Sequence, residues 1–232
     1  MSTRVVAVVG SYRRGGATDI AVEAILGGAR AKGAVTQTFR LKEQHIEFCN
    51  NCRACTQLPG EARCRCGQED DLEQILTAIE ASDAVVLASP VNYYNVTAIF
   101  RRFLERLLGY VYWPWGKIAP KPRSKQQPRK AVLVATSAAP GFLIPLATGA
   151  ARALRVTARL LGAKPVGKLW IGMVAGEQQP TLSAARRQAE PSSVFCKTLN
   201  PVSSTSRRSI CKCLMPSGRP RAKKFRANCS LC

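Results

Sequence analysis

Apolar runs that alternate with helix-like segments constrain the fold of this sequence more than any other feature. Val5–Val9, Ala84–Ala88 and Ala131–Thr136 are continuous runs rich in valine, alanine and leucine, which is typical of strands buried on both faces of a parallel sheet. Ala34–Leu41 and Lys168–Val174 are predicted as two further strands. The segments between these strands carry apolar residues at helical spacing and are predicted as helices: Thr18–Lys32, Asp70–Ala81, Val96–Leu108 and Ala147–Leu161.

Five strands alternating with helices predict βαβ units, and therefore an α/β fold with a parallel sheet covered on both sides. The rhythm fits a flavodoxin-like three-layer sandwich with strand order 2-1-3-4-5. Ligands of such sheets bind outside the carboxyl ends of the strands. Three loops rich in small and polar residues follow those ends here: Gly10–Thr18, Ser89–Asn95 and Ser137–Gly141.

The first of these loops has the residues of an anion site. Backbone N–H groups at the start of the following helix favour negative charge, and Gly15 and Gly16 allow a close approach to the backbone. Ser11 and Thr18 add hydroxyls, and Arg13 adds a charged fork. The spacing is neither G-x-G-x-x-G nor that of a P-loop, and no lysine follows the glycines, so triphosphate hydrolysis is not expected.

Two motifs together resemble the NADPH-dependent FMN reductase and multimeric flavodoxin superfamily. They are VVGSYRRGGATDIAVEAILGGARAKGA near the N-terminus and ASPVNYYNVTAIFRRFLER around the third strand, and the resemblance covers residues 4–175. It implies a phosphate site, a second loop along the isoalloxazine ring and a third loop against it. The implied FMN-binding residues are Ser11, Arg13, Gly16, Ala17 and Thr18 in the first loop, Pro90, Val91, Asn92, Tyr93 and Asn95 in the second, and Ser137, Ala138 and Gly141 in the third. No side chain needs to move a proton, because the flavin performs the hydride transfer.

Five of the ten cysteines fall within Cys49–Cys66, a density that calls for a metal or redox explanation. The spacing resembles that of iron–sulfur flavoproteins, in which the last cysteine stands shortly before an Asp-Asp pair. This resemblance implies a [4Fe–4S] cluster on Cys49, Cys52, Cys55 and Cys66. Metal-free cysteines and a zinc site remain as alternatives. The single histidine, His45, is expected at the surface rather than as a ligand.

The formal net charge of +21 is concentrated at the C-terminus. Residues 191–232 contain nine Lys or Arg and no Asp or Glu, whereas residues 1–190 contain 26 basic and 14 acidic residues. We therefore predict a flavodoxin-like FMN-binding domain over residues 1–190 and a basic tail over 191–232 that is disordered or atypical. A last helix is predicted to begin near Thr181. No apolar stretch reaches the length of a membrane span and no secretory signal begins the sequence, so the cytoplasm is the expected location.

The predicted function is an FMN-dependent NAD(P)H oxidoreductase that passes electrons to a quinone, a flavin or another small acceptor. The resemblance also implies a homodimer or homotetramer. A flavodoxin-like or iron–sulfur electron carrier without its own NAD(P)H oxidation is the alternative, although carriers of that kind are usually acidic and this chain is basic. Nucleic-acid binding through the basic charge is a third and less favoured class.

Overall fold

The computed structural model describes residues 2–175, which form an α/β fold. The strands are β1 (Arg4–Val9), β2 (Val35–Arg40), β3 (Ala84–Asn92), β4 (Asn95–Val96), β5 (Val111–Tyr112), β6 (Lys121–Pro122), β7 (Arg129–Thr136) and β8 (Ala163–Ile171). The α-helices are α1 (Ala17–Arg30), α2 (Leu72–Glu80), α3 (Ala98–Glu105), α4 (Ile144–Ala147) and α5 (Ala150–Leu160). Short 3-10 turns lie at Leu41–Glu43, Ala54–Thr56, Arg106–Tyr110 and Gly141–Leu143.

The predicted sheet is confirmed. Five parallel strands lie in the order β2-β1-β3-β7-β8, so the fourth and fifth predicted strands are β7 and β8. The two-residue strand β4 pairs antiparallel with the end of β3, and β5 pairs with β6 in a separate hairpin. Because β1, β3 and β7 are adjacent, the loops that follow them meet at one edge of the sheet, here called the carboxyl edge.

Alternate residues of the strands face two cores. Val6 and Val8 of β1 face a core with α2, α3 and α5, whose largest side chains there include Phe100 and Phe103. Val5, Ala7 and Val9 face the other core, where α1 contributes Leu26. Within residues 2–175, α1 is the one helix that contributes to the second core. This burial on both faces explains why the central strands are continuous apolar runs.

Two predicted strand ends are wrong. The third strand, predicted over Ala84–Ala88, continues through Pro90 to Asn92, where it turns into β4. Pro90 lies beyond Ala88, the last residue of β3 that pairs with β1, so its missing N–H removes no hydrogen bond on that side. The last strand spans Ala163–Ile171 rather than Lys168–Val174, because the chain enters it directly after the left-handed Gly162 that ends α5.

The long connection Tyr110–Lys130 packs against the segment between residues 44 and 71, here called the cysteine loop. The backbone N–H of Trp113 donates to Thr56 O at 2.9 Å. The Arg53 guanidinium lies over both Trp113 and Trp115, 3.9 Å and 4.1 Å from the ring centroids. These contacts make the start of the connection an aromatic patch packed on the cysteine loop.

The predicted helix near Thr181, the domain boundary at residue 190 and the tail lie outside the described residues. No helix between residues 2 and 175 has the length and apolar character needed to cross a bilayer.

Candidate functional site

Hydrogen bonds tie the loops at the carboxyl edge to one another. The Thr97 hydroxyl, at the N-cap of α3, donates to Gly10 O at 2.6 Å. The Thr18 and Thr136 hydroxyls are 2.8 Å apart and buried, which links the start of α1 to the end of β7. A Cβ on Gly10 would stand 2.8 Å from Cβ of Phe100, so only glycine allows α3 to approach this closely. The loops therefore form a joined surface rather than three independent segments.

The phosphate loop, Gly10–Thr18, combines an uncapped helix N-terminus with an unpaired cation. No side chain caps α1 at Gly16, and Gly15 has a left-handed φ of +69°. The two neighbouring arginines differ in their contacts. Arg14 bonds Glu43 at 2.8 Å, whereas the exposed Arg13 guanidinium has no hydrogen bond or ion pair with another described residue. This arrangement fits a phosphate, which the helix N-terminus attracts and Arg13 can bind by a fork.

The predicted hydroxyl ligands are already bonded within the protein. Ser11 Oγ accepts from Arg13 N at 3.2 Å, and Thr18 is 3% exposed with its hydroxyl on Thr136. Their part in holding a phosphate, like that of the backbone N–H groups of Gly16 and Ala17, therefore stays a prediction. Sequence reasoning missed Asp19, whose buried carboxylate accepts from Gly15 N at 2.8 Å and pairs with Arg40 at 2.6 Å. The sequence could have indicated this role, because an acidic residue in the first turn of a helix is stabilised by the helix dipole.

The second loop is a strained two-residue turn between β3 and β4. Tyr93 and Tyr94 have φ angles of 44° and 62°, and both rings are largely exposed. Such turns favour asparagine and glycine, so two tyrosines here are costly. Gly149 N, at the start of α5, donates to Tyr94 O at 2.7 Å, and Asn95 packs against Gly149. The predicted residues of this loop, Pro90, Val91, Asn92, Tyr93 and Asn95, lie together around the turn.

The third loop packs on the end of β8. Ser137 N donates to Ile171 O at 2.8 Å, and Ser137 Oγ accepts from Ala139 N at 3.1 Å. A Cβ on Gly141 would stand 2.5 Å from Trp170 O, so glycine is required there. Phe142 follows with its ring 67% exposed. The structure thus places Ser137, Ala138 and Gly141 at the carboxyl edge, directly after β7.

All five described cysteines are free thiols in the cysteine loop. Burial raises the pKa of Cys55 to about 11, and the charges of Cys66, Cys64, Cys49 and Cys52 add to this effect. The other predicted ligands are therefore within electrostatic reach of Cys55. Within residues 2–175, however, no group of three or more His, Cys, Asp or Glu side chains is arranged to hold a metal ion. The described thiols have the chemistry of a soft-metal or cluster site, but they are not gathered around a single ion.

A buried ion pair anchors both ends of the cysteine loop. Arg106 Nη1 lies 2.5 Å from Asp70 Oδ2, and the two side chains are 1% and 0% exposed. Glu47 donates its N–H to Asp70 at 2.8 Å and accepts from Arg106 through its carbonyl at 2.8 Å. Burial raises the pKa of Asp70, but hydrogen bonds from Arg106 and from backbone N–H groups outweigh it and hold that pKa below its ordinary value.

The buried arginine also faces a predicted ligand. Burial lowers the pKa of Arg106, but Asp70 and then Cys66 raise it above the ordinary value. Nε and Nη2 of Arg106 have no hydrogen-bond partner among the described residues. Sequence reasoning missed Arg106. Its position between Phe103 and Leu107, two apolar residues of the predicted helix face, could have indicated that it is buried. His45 lies at the surface as expected, with Nε2 2.9 Å from Glu47 Oε1.

The fold and the three-loop edge define a flavodoxin-like protein. The family model for NADPH-dependent FMN reductases matches residues 3–177, and the chain belongs to this family. The resemblance seen in the sequence is thereby confirmed.

Curated relatives are similar over part of the chain. An iron-sulfur flavoprotein of Archaeoglobus fulgidus is 33% identical over 111 residues, which is 48% of this chain and 48% of the relative. One of Methanosarcina thermophila is 25% identical over 103 residues, 44% of this chain and 51% of the relative. The matches thus span about half the length of these relatives.

Solved structures share the fold at low identity. The NAD(P)H:quinone oxidoreductase of Methanothermobacter marburgensis has a TM-score of 0.60 and 14% identity, covering 84% of this chain and 100% of that one. An FMN-dependent NADH-azoreductase of Bacillus anthracis, solved in complex with FMN, has a TM-score of 0.57 and 9% identity, covering 84% and 99%. At these identities the likeness establishes the fold.

Proposed function

We propose that this chain is an FMN-dependent NAD(P)H oxidoreductase whose flavin phosphate binds the Gly10–Thr18 loop. The observation that carries the proposal is the N-terminus of α1, which no described side chain caps, beside the Arg13 guanidinium, which has no partner within residues 2–175. Family membership supports the same class of reaction, as do neighbours described as a quinone oxidoreductase and an azoreductase. The proposed electron acceptor is a quinone, a flavin or another small molecule, and the proposed assembly is a homodimer or homotetramer.

Bound FMN would supply the hydride chemistry, and the chain would bind and orient it. Arg13 and the backbone N–H groups of Gly16 and Ala17 would hold the phosphate. Thr97 fixes the loop by its bond to Gly10 O, so the phosphate donors keep their position relative to β3. The Tyr93–Tyr94 turn and the Ser137 loop would border the ring from two neighbouring strand ends.

For the cysteine loop we propose a [4Fe–4S] cluster on Cys49, Cys52, Cys55 and Cys66. The iron-sulfur flavoprotein relatives and the thiol donor set support this choice. Each thiolate of such a cluster binds a different iron, so its ligands stand farther apart than ligands of one ion. Iron and sulfide analysis of anaerobically purified protein tests it. Cys66→Ser should lose the iron and Cys64→Ser should keep it. Zinc in the wild-type protein would support the zinc-site alternative, and absence of any metal would support metal-free cysteines.

The flavin proposal is tested by titrating FMN into flavin-free protein. Arg13→Gln removes charge-assisted bonds worth about 1.5–3 kcal/mol, which corresponds to roughly 10- to 100-fold weaker FMN binding. Arg14→Gln is the matched control, because that side chain is bonded to Glu43. Equal affinity of wild type and Arg13→Gln would remove the assigned phosphate site. FMN-loaded protein that fails to oxidise NADH or NADPH would favour the electron-carrier alternative.

A further inference from the structure

A cavity of about 650 Å³ opens at the edge of the sheet opposite the carboxyl edge. Its walls come from the cysteine loop near Arg63, the connection Pro122–Pro128, the first residue of β7 and the end of α5. Its size is that of a site for a small organic ligand. It lies outside the flavin site proposed above, and we refer to it as the amino-edge cavity.

One wall of the amino-edge cavity is built from a part of the chain that contains basic but no acidic residues. No Asp or Glu occurs between residues 106 and 175. Arg123, Arg129 and Arg159 all line this wall. The acidic side chains of the cavity, Glu61 and Glu80, come from the other wall, where Arg63 holds Glu80 at 2.8 Å and the Tyr110 hydroxyl donates to it at 2.7 Å.

The hydrogen bonds of Arg123 and Arg129 go to backbone carbonyls rather than to carboxylates. Arg123 donates to the carbonyls of Gly109, Gly60 and Cys55 at 2.9 to 3.2 Å. Arg129 likewise donates to three backbone carbonyls, those of Ile79, Leu161 and Glu80. Carbonyls hold a guanidinium without neutralising it, so both side chains keep their positive charge; that of Arg129 also acts on the carboxylate of Glu80 and lowers its pKa.

Arg159 completes the set as a cation that is free to bind. Its side chain is exposed in the last turn of α5 and has no hydrogen bond or ion pair with another described residue. Val156 and Leu160 lie beside it on the cavity wall, and Pro122 and Pro128 line the cavity as well. The cavity therefore offers several positive charges next to an apolar surface.

We propose that the amino-edge cavity binds a phosphate ester that carries a ring, such as a nucleoside phosphate. Guanidinium forks match phosphate oxygens, and two or more negative charges would balance the arginines. The apolar wall would contact the ring. Because Arg123 also holds the Cys55 carbonyl, an occupied cavity would contact the residue that fixes the cysteine loop.

Calorimetric titration of FMN-loaded, full-length protein with ADP tests the proposal. ADP should bind more tightly than adenosine, which lacks the charges, and more tightly than pyrophosphate, which lacks the ring. Arg159→Glu should weaken ADP binding by roughly 10-fold or more, the loss expected for one charge-assisted contact. Arg152→Glu is the matched control, since Arg152 is exposed on the same helix, has no partner among the described residues and lies outside the cavity.

Several results would overturn it. Absence of ADP binding would do so, and so would equal weakening by Arg152→Glu, which would indicate attraction by net charge alone. Equal affinity for pyrophosphate or adenosine would refute the ring-bearing phosphate as ligand. Loss of ADP binding in Arg13→Gln, with binding retained in Arg159→Glu, would place the nucleotide at the carboxyl edge instead.

Discussion

The Asp70–Arg106 pair should contribute a large part of the stability of this domain. Asp70→Asn removes the negative charge and keeps the volume, which leaves a guanidinium that is 1% exposed without its counter-charge. Breaking a buried ion pair from one side costs about 3–5 kcal/mol. The whole free energy of unfolding of a domain is about 5–15 kcal/mol, so the variant should lose roughly a fifth of it or more.

A surface pair on the same helix provides the control. Arg101 and Glu105 lie four residues apart on α3 at 2.9 Å, and their side chains are 54% and 48% exposed. Glu105→Gln should cost about 0.5 kcal/mol or less, because water and salt screen an exposed pair. Urea unfolding of both variants beside wild type measures the two free energies. A cost below about 1 kcal/mol for Asp70→Asn would refute the argument from burial.

The pH dependence of the same pair has a definite sign. The Asp70 pKa is held below its ordinary value of 3.8, so the folded state binds this proton more weakly than the unfolded state. The stabilisation is therefore fully present above pH 3.8 and is lost as the pH falls through the folded-state value. The stability gap between wild type and Asp70→Asn should close at the acid end, and a constant gap would contradict this account.

Two further predictions concern backbone positions at the carboxyl edge. Gly10→Ala should cost about 1–3 kcal/mol of unfolding free energy, because the new Cβ would stand 2.8 Å from Cβ of the buried Phe100. Gly28 is the control: it is exposed in α1, and a Cβ there would have no described atom within 4 Å, so Gly28→Ala should stabilise the fold by about 0.5–1 kcal/mol. Tyr94→Gly should stabilise by about 1 kcal/mol in the same urea assay by releasing a left-handed tyrosine, whereas Tyr94→Ala keeps the strain and should not. Equal effects within either pair would refute the assigned cause.

The local hydrophobic pattern was sufficient to predict the strands of the sheet but not the residues at which β3 ends and β8 begins. The runs at Val5–Val9 and Ala131–Thr136 predict central strands, because a strand buried on both faces is continuously apolar and does not alternate apolar with polar residues. The continuation of β3 through Pro90 depends on where β1 stops, which is a relation between strands far apart in sequence. The early start of β8 likewise depends on pairing between Arg129 and Ala163.

The candidate site divides in the same way. The phosphate loop is contiguous, so its glycines and Arg13 were recognisable from the sequence. The burial of the Thr18 hydroxyl against Thr136 was not, because the two residues are separated by 118 positions. Arg106 illustrates the larger difficulty, since a cation among apolar residues of a helix could be either exposed at the margin or buried against a carboxylate. Only the folded chain shows Asp70 opposite it.

Helix α3 physically joins the two regions to which function is assigned. Its N-cap, Thr97, bonds Gly10 of the phosphate loop, and Arg106, directly after its last residue, bonds Asp70 and Glu47 of the cysteine loop. The helix has eight residues, so about 12 Å of regular backbone separates these anchors. Phe100 and Phe103 are fully buried between them and hold the helix against the sheet. The spacing between a flavin at one end and a thiol-bound centre at the other would thus be set by a packed helix rather than by the loops themselves.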